Sequence, residues 1–449
     1  MRRAPLALLL AAGLAHANGR APLTNGIHFQ PNDPHSLYVA TTFGLLVSHD
    51  DGCTMYWICE SNMGYGGMFD PKYAISTSGA IFATTYTGLR VSRDGGCSWT
   101  TATSELPPDD PNNISTVWID ALDIGSTGEV WVATADISHP NNIYSSNDDG
   151  VTFNARNMQS PTIWWKSVKV APSNPMRIYA SGYQVAGSPL PDGGMAPPTG
   201  HLLHSDDDGA TWTESPLTGV TFSPTAIVLV AAVDPSNPDV AYMISLAANT
   251  PAGDMLYRTS DAGATWTKVL TTTDTIRDVV ISDAQTVLVA TQMGGSFKST
   301  DGGMTFGNML NPPQLECLGK SPDGSLVGCG ANWQPDYESV AKSSDIGSSW
   351  SKVWRFVNLY GPLDCPAGTG EHDMCAVQQW PSLQQQFGTT GPACGAFQSE
   401  GGGGDATTAT KKSGGCCDAG TGTPIGLVWA GGLALWLGRR RRHASRQLG

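Results

Sequence analysis

Seven copies of one eight-residue pattern divide this chain. The clearest is Ser205-Asp206-Asp207-Asp208-Gly209-Ala210-Thr211-Trp212, which reads as Ser, any, Asp, any, Gly, any, Thr, aromatic. It recurs over Ser92–Trp99, Ser146–Phe153, Thr259–Trp266, Ser299–Phe306 and Ser343–Trp350. A weaker copy spans Ser48–Met55, with the aromatics displaced to Tyr56 and Trp57. The repeated acids are Asp50, Asp94, Asp148, Asp207, Asp261, Asp301 and Asp345, spaced 40 to 59 residues apart. A period of about 40–50 residues is the length of one four-stranded propeller blade. The repeat therefore predicts an all-β chain, a single seven-bladed β-propeller of four-stranded antiparallel blades over residues 18–360.

The octet is turn chemistry. Its Asp carboxylate accepts backbone N–H groups, and the Gly two residues on supplies a positive φ that a Cβ would resist. The Ser and Thr hydroxyls close further local hydrogen bonds. The aromatic residue opens the next strand and packs beneath the hairpin. Seven acids held in seven equivalent turns are scaffold, so none is read as catalytic.

Composition agrees with a turn-rich β protein: 53 Gly, 30 Pro and 14% charged residues in 449. Most of the acids behind the net charge of −14 are Asp in octets and turns. No basic stripe precedes the extreme C-terminus, which argues against nucleic acid as a partner. No ligand spacing suggests a metal site, and no nucleotide loop, nucleophile elbow or other cofactor motif is present. The sequence carries no signal for an oligomeric state.

The ends are of a different kind. Residues 1–17 read as a signal peptide, with Arg2 and Arg3, an apolar Leu6–Leu14 core and the small-any-small site Ala15-His16-Ala17. Residues 361–398 form a Cys-containing appendage with a short helix expected over Cys375–Phe387, and 399–415 a flexible Gly/Thr/Ala linker. In 416–449, Cys416 and Cys417 precede an uncharged apolar segment, read as a transmembrane helix, and the block Arg439-Arg440-Arg441-Arg442. Export permits disulfides. Cys317 and Cys329 flank the turn Pro322-Asp323-Gly324 and are expected to bridge two strands; Cys59 with Cys97 and Cys365 with Cys375 are the other candidate pairs.

The octets resemble the Asp-box, or bacterial neuraminidase repeat, of sialidases, sortilin-type receptors, xyloglucan-cleaving enzymes and photosystem II assembly-factor propellers. The far C-terminus resembles the sorting signal of myxobacterial surface proteins, which implies processing near Cys416 or Cys417, lipid attachment and cell-surface display. The usual signal separates its cysteines with Gly, whereas Cys416 and Cys417 are adjacent. The sialidase resemblance would imply three arginines around a carboxylate and an early Arg-Ile-Pro motif. No such motif occurs, and the arginines are few and scattered. Xyloglucan-cleaving relatives would imply an Asp pair between two tandem propellers, and one propeller fits here.

Strand alternation places the octets on one face. The loops between second and third strands, and the starts of inner strands, fall on the other, around the mouth of the central channel. On that face the candidate ligand-binding residues are Tyr86, Trp118, Asp120, Asp136, Trp164, Lys166, Tyr183, Arg277, Gln292, Glu316 and Trp333. Aromatics with amides and a few charges suit a carbohydrate or protein ligand. The expected function is an exported, surface-anchored binding module; the alternative is an extracellular glycoside hydrolase, for which Asp120 and Glu316 are candidate carboxylates on distant blades.

Overall fold

The computed structural model describes residues 20–184, 194, 197–222, 225–247, 253–292, 295–333 and 336–392. The signal segment 1–17, Cys394, the linker 399–415 and the segment 416–449 with Cys416 and Cys417 lie outside the described residues. Among the described residues no helix is long and apolar enough to cross a membrane.

Period-two apolar patterning builds seven antiparallel sheets. Blade one contains Thr24–Gln30, Asp33–Thr41, Gly44–Ser48 and Met55–Ile58 from the inside outward. The inner strands of blades two to seven are Tyr73–Ile75, Ile119–Ile124, Ile163–Val170, Val228–Val233, Ile276–Ile281 and Cys317–Lys320. Each of these opens a four-stranded sheet, and inner strands pack neighbour on neighbour until blade seven meets blade one. The architecture is the seven-bladed propeller that the repeat predicts.

Seven hydrophobic clusters fill the seven interfaces between blades. Between blades three and four, Trp131 and Trp165 are fully buried with Ile143 and Ile178. Burying one large apolar side chain stabilises by roughly 2–3 kcal/mol. A lone blade has no such partner, so the fold depends on neighbours.

The octet hairpins share one set of hydrogen bonds. In blade four, Ser205 Oγ donates to Asp207 Oδ1 (2.8 Å) and accepts from the Gly209 N–H (2.8 Å). Asp207 also accepts the Thr211 N–H (2.8 Å) and hydroxyl (2.7 Å). The Thr211 hydroxyl, then the Thr211 N–H, hold the Asp207 carboxyl below the usual carboxylate range. The octets also join blades. At Gly303 in blade six (φ 77°), an added Cβ would lie 1.9 Å from Tyr242 Oη of blade five. At Gly150 of blade three it would lie 2.4 Å from the Phe82 ring of blade two. Gly52 of blade one faces Val353 of blade seven, where a Cβ would lie 2.7 Å from Cγ1, so the same contact recurs where the ring closes.

Each blade is continuous in sequence, and no blade exchanges one of its four strands with the opposite terminus. Closure is completed by the segment after blade seven. Leu359–Pro362 adds to the outer strand of blade one as a fifth, parallel strand. A π-helical stretch, Glu371–Gln379, then runs into the α-helix Trp380–Phe387. Phe387 packs on Phe43 (5.1 Å) and Phe356 (5.1 Å), and Trp380 approaches Trp57 (6.2 Å).

Disulfides lock this strap, in pairings that correct the sequence expectation. Cys59 bonds Cys375 rather than Cys97, and Cys97 bonds Cys365. Proximity in sequence is a weak guide because loop closure costs rise only slowly with length; the course of the strap past blades one and two decides the partners. Cys317 bonds Cys329 across directly paired positions of blade seven.

Beside Cys59–Cys375, Glu371 is fully buried and accepts a hydrogen bond from Asn62 Nδ2 (3.0 Å). Burial pushes its carboxyl up to about 8, against the Asn62 bond. A raised carboxyl stabilises the fold fully below its unfolded value near 4.5, and that stability is lost as pH rises through about 8. Glu371→Gln is therefore expected to leave the melting temperature little changed at pH 5. At pH 8.5 it should raise stability by on the order of 3 kcal/mol. Thermal unfolding at both pH values checks this, and equal effects at the two would refute it.

Candidate ligand-binding face

Antiparallel order puts the octet hairpins on one face and the second-to-third-strand loops on the other. On the second face, loop and inner strand are stitched together. In blade three the Trp118 N–H donates to the Asp136 carboxylate (3.0 Å), and the Ala135 N–H donates to the Trp118 carbonyl (3.0 Å). Burial raises the Asp136 carboxyl, but the Ser138 and Trp118 N–H groups outweigh it and hold it low. Asp136 thus positions Trp118.

Five aromatic rings form a row across blades two to four. Centroid distances are 4.4 Å for Phe69–Tyr86, 4.9 Å for Tyr86–Trp118, 5.8 Å for Trp118–Trp164 and 6.1 Å for Trp164–Tyr183. Most of these contacts are edge-to-face, the arrangement favoured by ring quadrupoles. Phe69 is buried and supports the row, Tyr86 is half exposed, and Trp118, Trp164 and Tyr183 are partly open. Trp164 and Lys166 are two apart on the inner strand of blade four, with Lys166 at a register shift between Trp165 and Ser167.

Charges lie beside the rings. Lys166 Nζ sits 5.4 Å from the Trp118 ring centre and is bonded to the Asp120 carboxylate. Lys72 Nζ donates to the carbonyls of Asp120 (2.5 Å) and Lys166 (2.9 Å). Desolvation by the channel walls draws Lys72 down to about 8, with the Asp120 charge acting the other way. Burial, then the Asp120 charge, raises the Tyr183 phenol.

Arg277, Gln292 and Glu316 form a second group on blades six and seven. Arg277 lies 3.4 Å from Glu316. Burial raises the Glu316 carboxyl, opposed by the Arg277 charge and a hydrogen bond with Gln292. Trp333 is exposed on a loop of blade seven, with no ring of the row against it. Between the two groups the channel holds a cavity of about 180 Å³, lined in part by Lys72, Lys166, Lys169, Arg277 and Asp278.

Of the candidate residues, Tyr86, Trp118, Asp120, Asp136, Trp164, Lys166 and Tyr183 are brought together, whereas Arg277, Gln292 and Glu316 gather elsewhere. Phe43, on the corresponding loop of blade one, is 4% exposed because Phe356 and Phe387 cover it. Sequence reasoning missed Phe69, Lys72 and Lys169. Lys72 immediately precedes the inner strand of blade two, so blade register applied there would have found it. Phe69 lies in a connection without strand patterning and gave no signal. Cys59, Glu371 and Cys375 bring three potential metal donors within 4.8 Å of one another, but the two sulfurs are bonded to each other.

The fold and this face define a propeller with an aromatic-lined channel mouth. No family model matches the chain. It is 26% identical over 287 residues to an oligoxyloglucan-reducing end-specific xyloglucanase of Emericella nidulans, a match covering 55% of this chain and 34% of that enzyme. The chain thus spans about a third of the length of this curated relative. Among solved structures it is similar to a GH74 xyloglucanase from Xanthomonas campestris, with 16% identity, TM-score 0.46 and coverage of 73% of this chain and 60% of that one. It is also similar to YCF48 from Cyanidioschyzon merolae, with 15% identity, TM-score 0.41 and coverage of 64% and 85% respectively. Neither likeness assigns an activity to this chain.

Proposed function

We propose that this protein is an exported Asp-box propeller, displayed at the cell surface through its C-terminal segment, that binds a carbohydrate chain across the face opposite its octets. The observation that carries the reading is the continuous row from Tyr86 through Trp118 and Trp164 to Tyr183, each ring partly open and held by its neighbour. Partly open aromatic rings beside hydrogen-bonding and charged groups supply the mixed apolar and polar surface that a carbohydrate needs, and the partial sequence match to a xyloglucanase agrees with a glycan ligand. The leader and the Cys-apolar-Arg ending support export and display.

The reading is tested by titrating the protein with xyloglucan oligosaccharides. Trp118→Ala and Trp164→Ala are each expected to weaken binding by about 2 kcal/mol, roughly 30-fold, with thermal unfolding used to confirm that both variants are folded at the temperature of the titration. Unaltered affinity in both variants would refute the row as the site.

A second reading, glycoside hydrolysis, draws on the same sequence match and on Glu316, whose raised carboxyl has the character of a general acid. Release of reducing ends from xyloglucan, lost in Glu316→Gln, would establish it in place of simple binding.

A further inference from the structure

We propose that the channel beneath the aromatic row is an anion-recognition subsite, and that the carbohydrate bound here is acidic, a uronate-bearing oligosaccharide whose carboxylates enter the channel. This rests on the carbohydrate reading above and specifies the ligand of the same site.

The chain carries a net charge of −14, yet cations concentrate at this one cavity. Its lining takes Lys72 from blade two, Lys166 and Lys169 from blade four and Arg277 from blade six, and a single acid, Asp278. Other acids stand behind the cations: Asp120 bonds Lys166 and lies 3.7 Å from Lys72, so one carboxylate serves two ammonium groups. Asp123 lies 3.2 Å from Lys169 and also accepts the Val170 N–H (2.9 Å). Glu316 pairs with Arg277. The acids hold the cations in place from behind while the cations line the space.

Lys166 links the two parts of the site. Its ammonium lies against the Trp118 ring and at the cavity wall, so a sugar stacked on Trp118 places its substituents beside Lys166 and Lys72. A neutral glycan would leave these cations with only the acids on their far side and Asp278; a carboxylate entering the cavity adds charge-assisted hydrogen bonds to them in a partly desolvated channel.

Acidification should strengthen the interaction. Asp278 accepts the Leu318 N–H (2.8 Å), and burial raises its carboxyl to about 6, opposed by Lys169 and Arg277. Across the channel in blade one, burial and then Lys169 draw His28 down to about 4, so it stays neutral above pH 5. Between pH 7.5 and 5.5 Asp278 therefore gains a proton, and Lys72, drawn down to about 8, completes its protonation, while a uronate keeps its charge, so the charge in the cavity becomes more positive.

The test compares an oligogalacturonate hexamer with a neutral xyloglucan oligosaccharide by titration calorimetry on the full-length protein. The acidic ligand is expected to bind about tenfold more tightly in dilute buffer, with the preference shrinking several-fold in 0.5 M salt and growing at pH 5.5. Lys169→Met is expected to remove most of the preference, read as the ratio of acidic to neutral affinity in the same variant; Lys169→Gln serves as a second variant should the first fold poorly. Equal affinity for the two ligands, or a preference indifferent to salt and to both substitutions, overturns the anionic subsite and leaves the carbohydrate reading standing. Binding of neither ligand overturns both.

Discussion

Gly303→Ala is expected to lower the unfolding free energy by about 3 kcal/mol and the melting temperature by about 4 °C. Two physical terms combine. The residue sits at φ 77°, where a side chain crowds its own backbone, and its Cβ would lie 1.9 Å from Tyr242 Oη on the neighbouring blade. Tyr242 Oη donates to the Gly302 carbonyl (2.9 Å), so the ring cannot retreat without losing that bond. Gly324 separates the terms: its φ is 85° but nothing lies within 4 Å of an added Cβ. Gly324→Ala should cost only about 1 kcal/mol. Gly307→Ala, with neither constraint, should fall within about 0.5 kcal/mol of the parent. Thermal unfolding of the three variants checks the order. Equal losses at Gly303 and Gly324 would show that the inter-blade approach contributes nothing. Adding Tyr242→Phe to Gly303→Ala should recover part of the loss, a coupling of about 1 kcal/mol in a double-mutant cycle.

The second large effect is expected at the strap. Cys59 and Cys375 are 316 residues apart in sequence, so their bond encloses nearly the whole ring. Replacing both with Ser is expected to cost about 4 kcal/mol, from the released unfolded-state entropy and the loosened strap. The core where blade seven meets blade one includes Trp57, Trp354, Phe356, Cys375 and Leu383, so loosening the strap reaches the closing interface itself. The strap should then become the first segment cut by protease, while the ring resists. A strap that stays protected in Cys59→Ser/Cys375→Ser, with a melting temperature within 2 °C or so of the parent, would assign closure to the blade interface alone.

The legibility of this protein follows the range of its interactions. The octet hydrogen bonds span two to four residues, as from Ser205 to Asp207 and from Asp207 to Thr211, so residue identity at fixed spacing implies them. Blade number, strand order and the division into two faces follow from those turns. Strand alternation then located most of the aromatic row, because Tyr86 and Tyr183 lie at second-to-third-strand connections and Trp118 and Trp164 at inner-strand starts, the two kinds of position that face the channel mouth. It could not separate that row from Arg277, Gln292 and Glu316, which occupy equivalent places in blades far around the ring. Nor could it show that Phe43, in the same kind of loop, is covered by a helix more than 300 residues later.

The disulfides show the same limit. Cys317 and Cys329 lie on one hairpin, and the register of that hairpin faces them. Cys59, Cys97, Cys365 and Cys375 are matched by the path of a strap whose fifth strand leaves no signature beyond an ordinary apolar run, Leu359–Pro362. Likewise the octet glycine is required twice, once by its own φ and once by the blade before it, and only the first requirement is written in the local pattern.

What the sequence by itself determined is the repeated unit: seven turns, their hydrogen bonds, the number of blades and the face on which each loop lies, all consequences of contacts between near neighbours along the chain. Tertiary structure alone decided how the ring is clasped, which cysteines meet, and that lysines and an arginine from blades two, four and six line one cavity under a row of aromatic rings. Those arrangements join residues tens to hundreds of positions apart, and their distances are set by the packing of blades around the ring rather than by any local preference of the backbone.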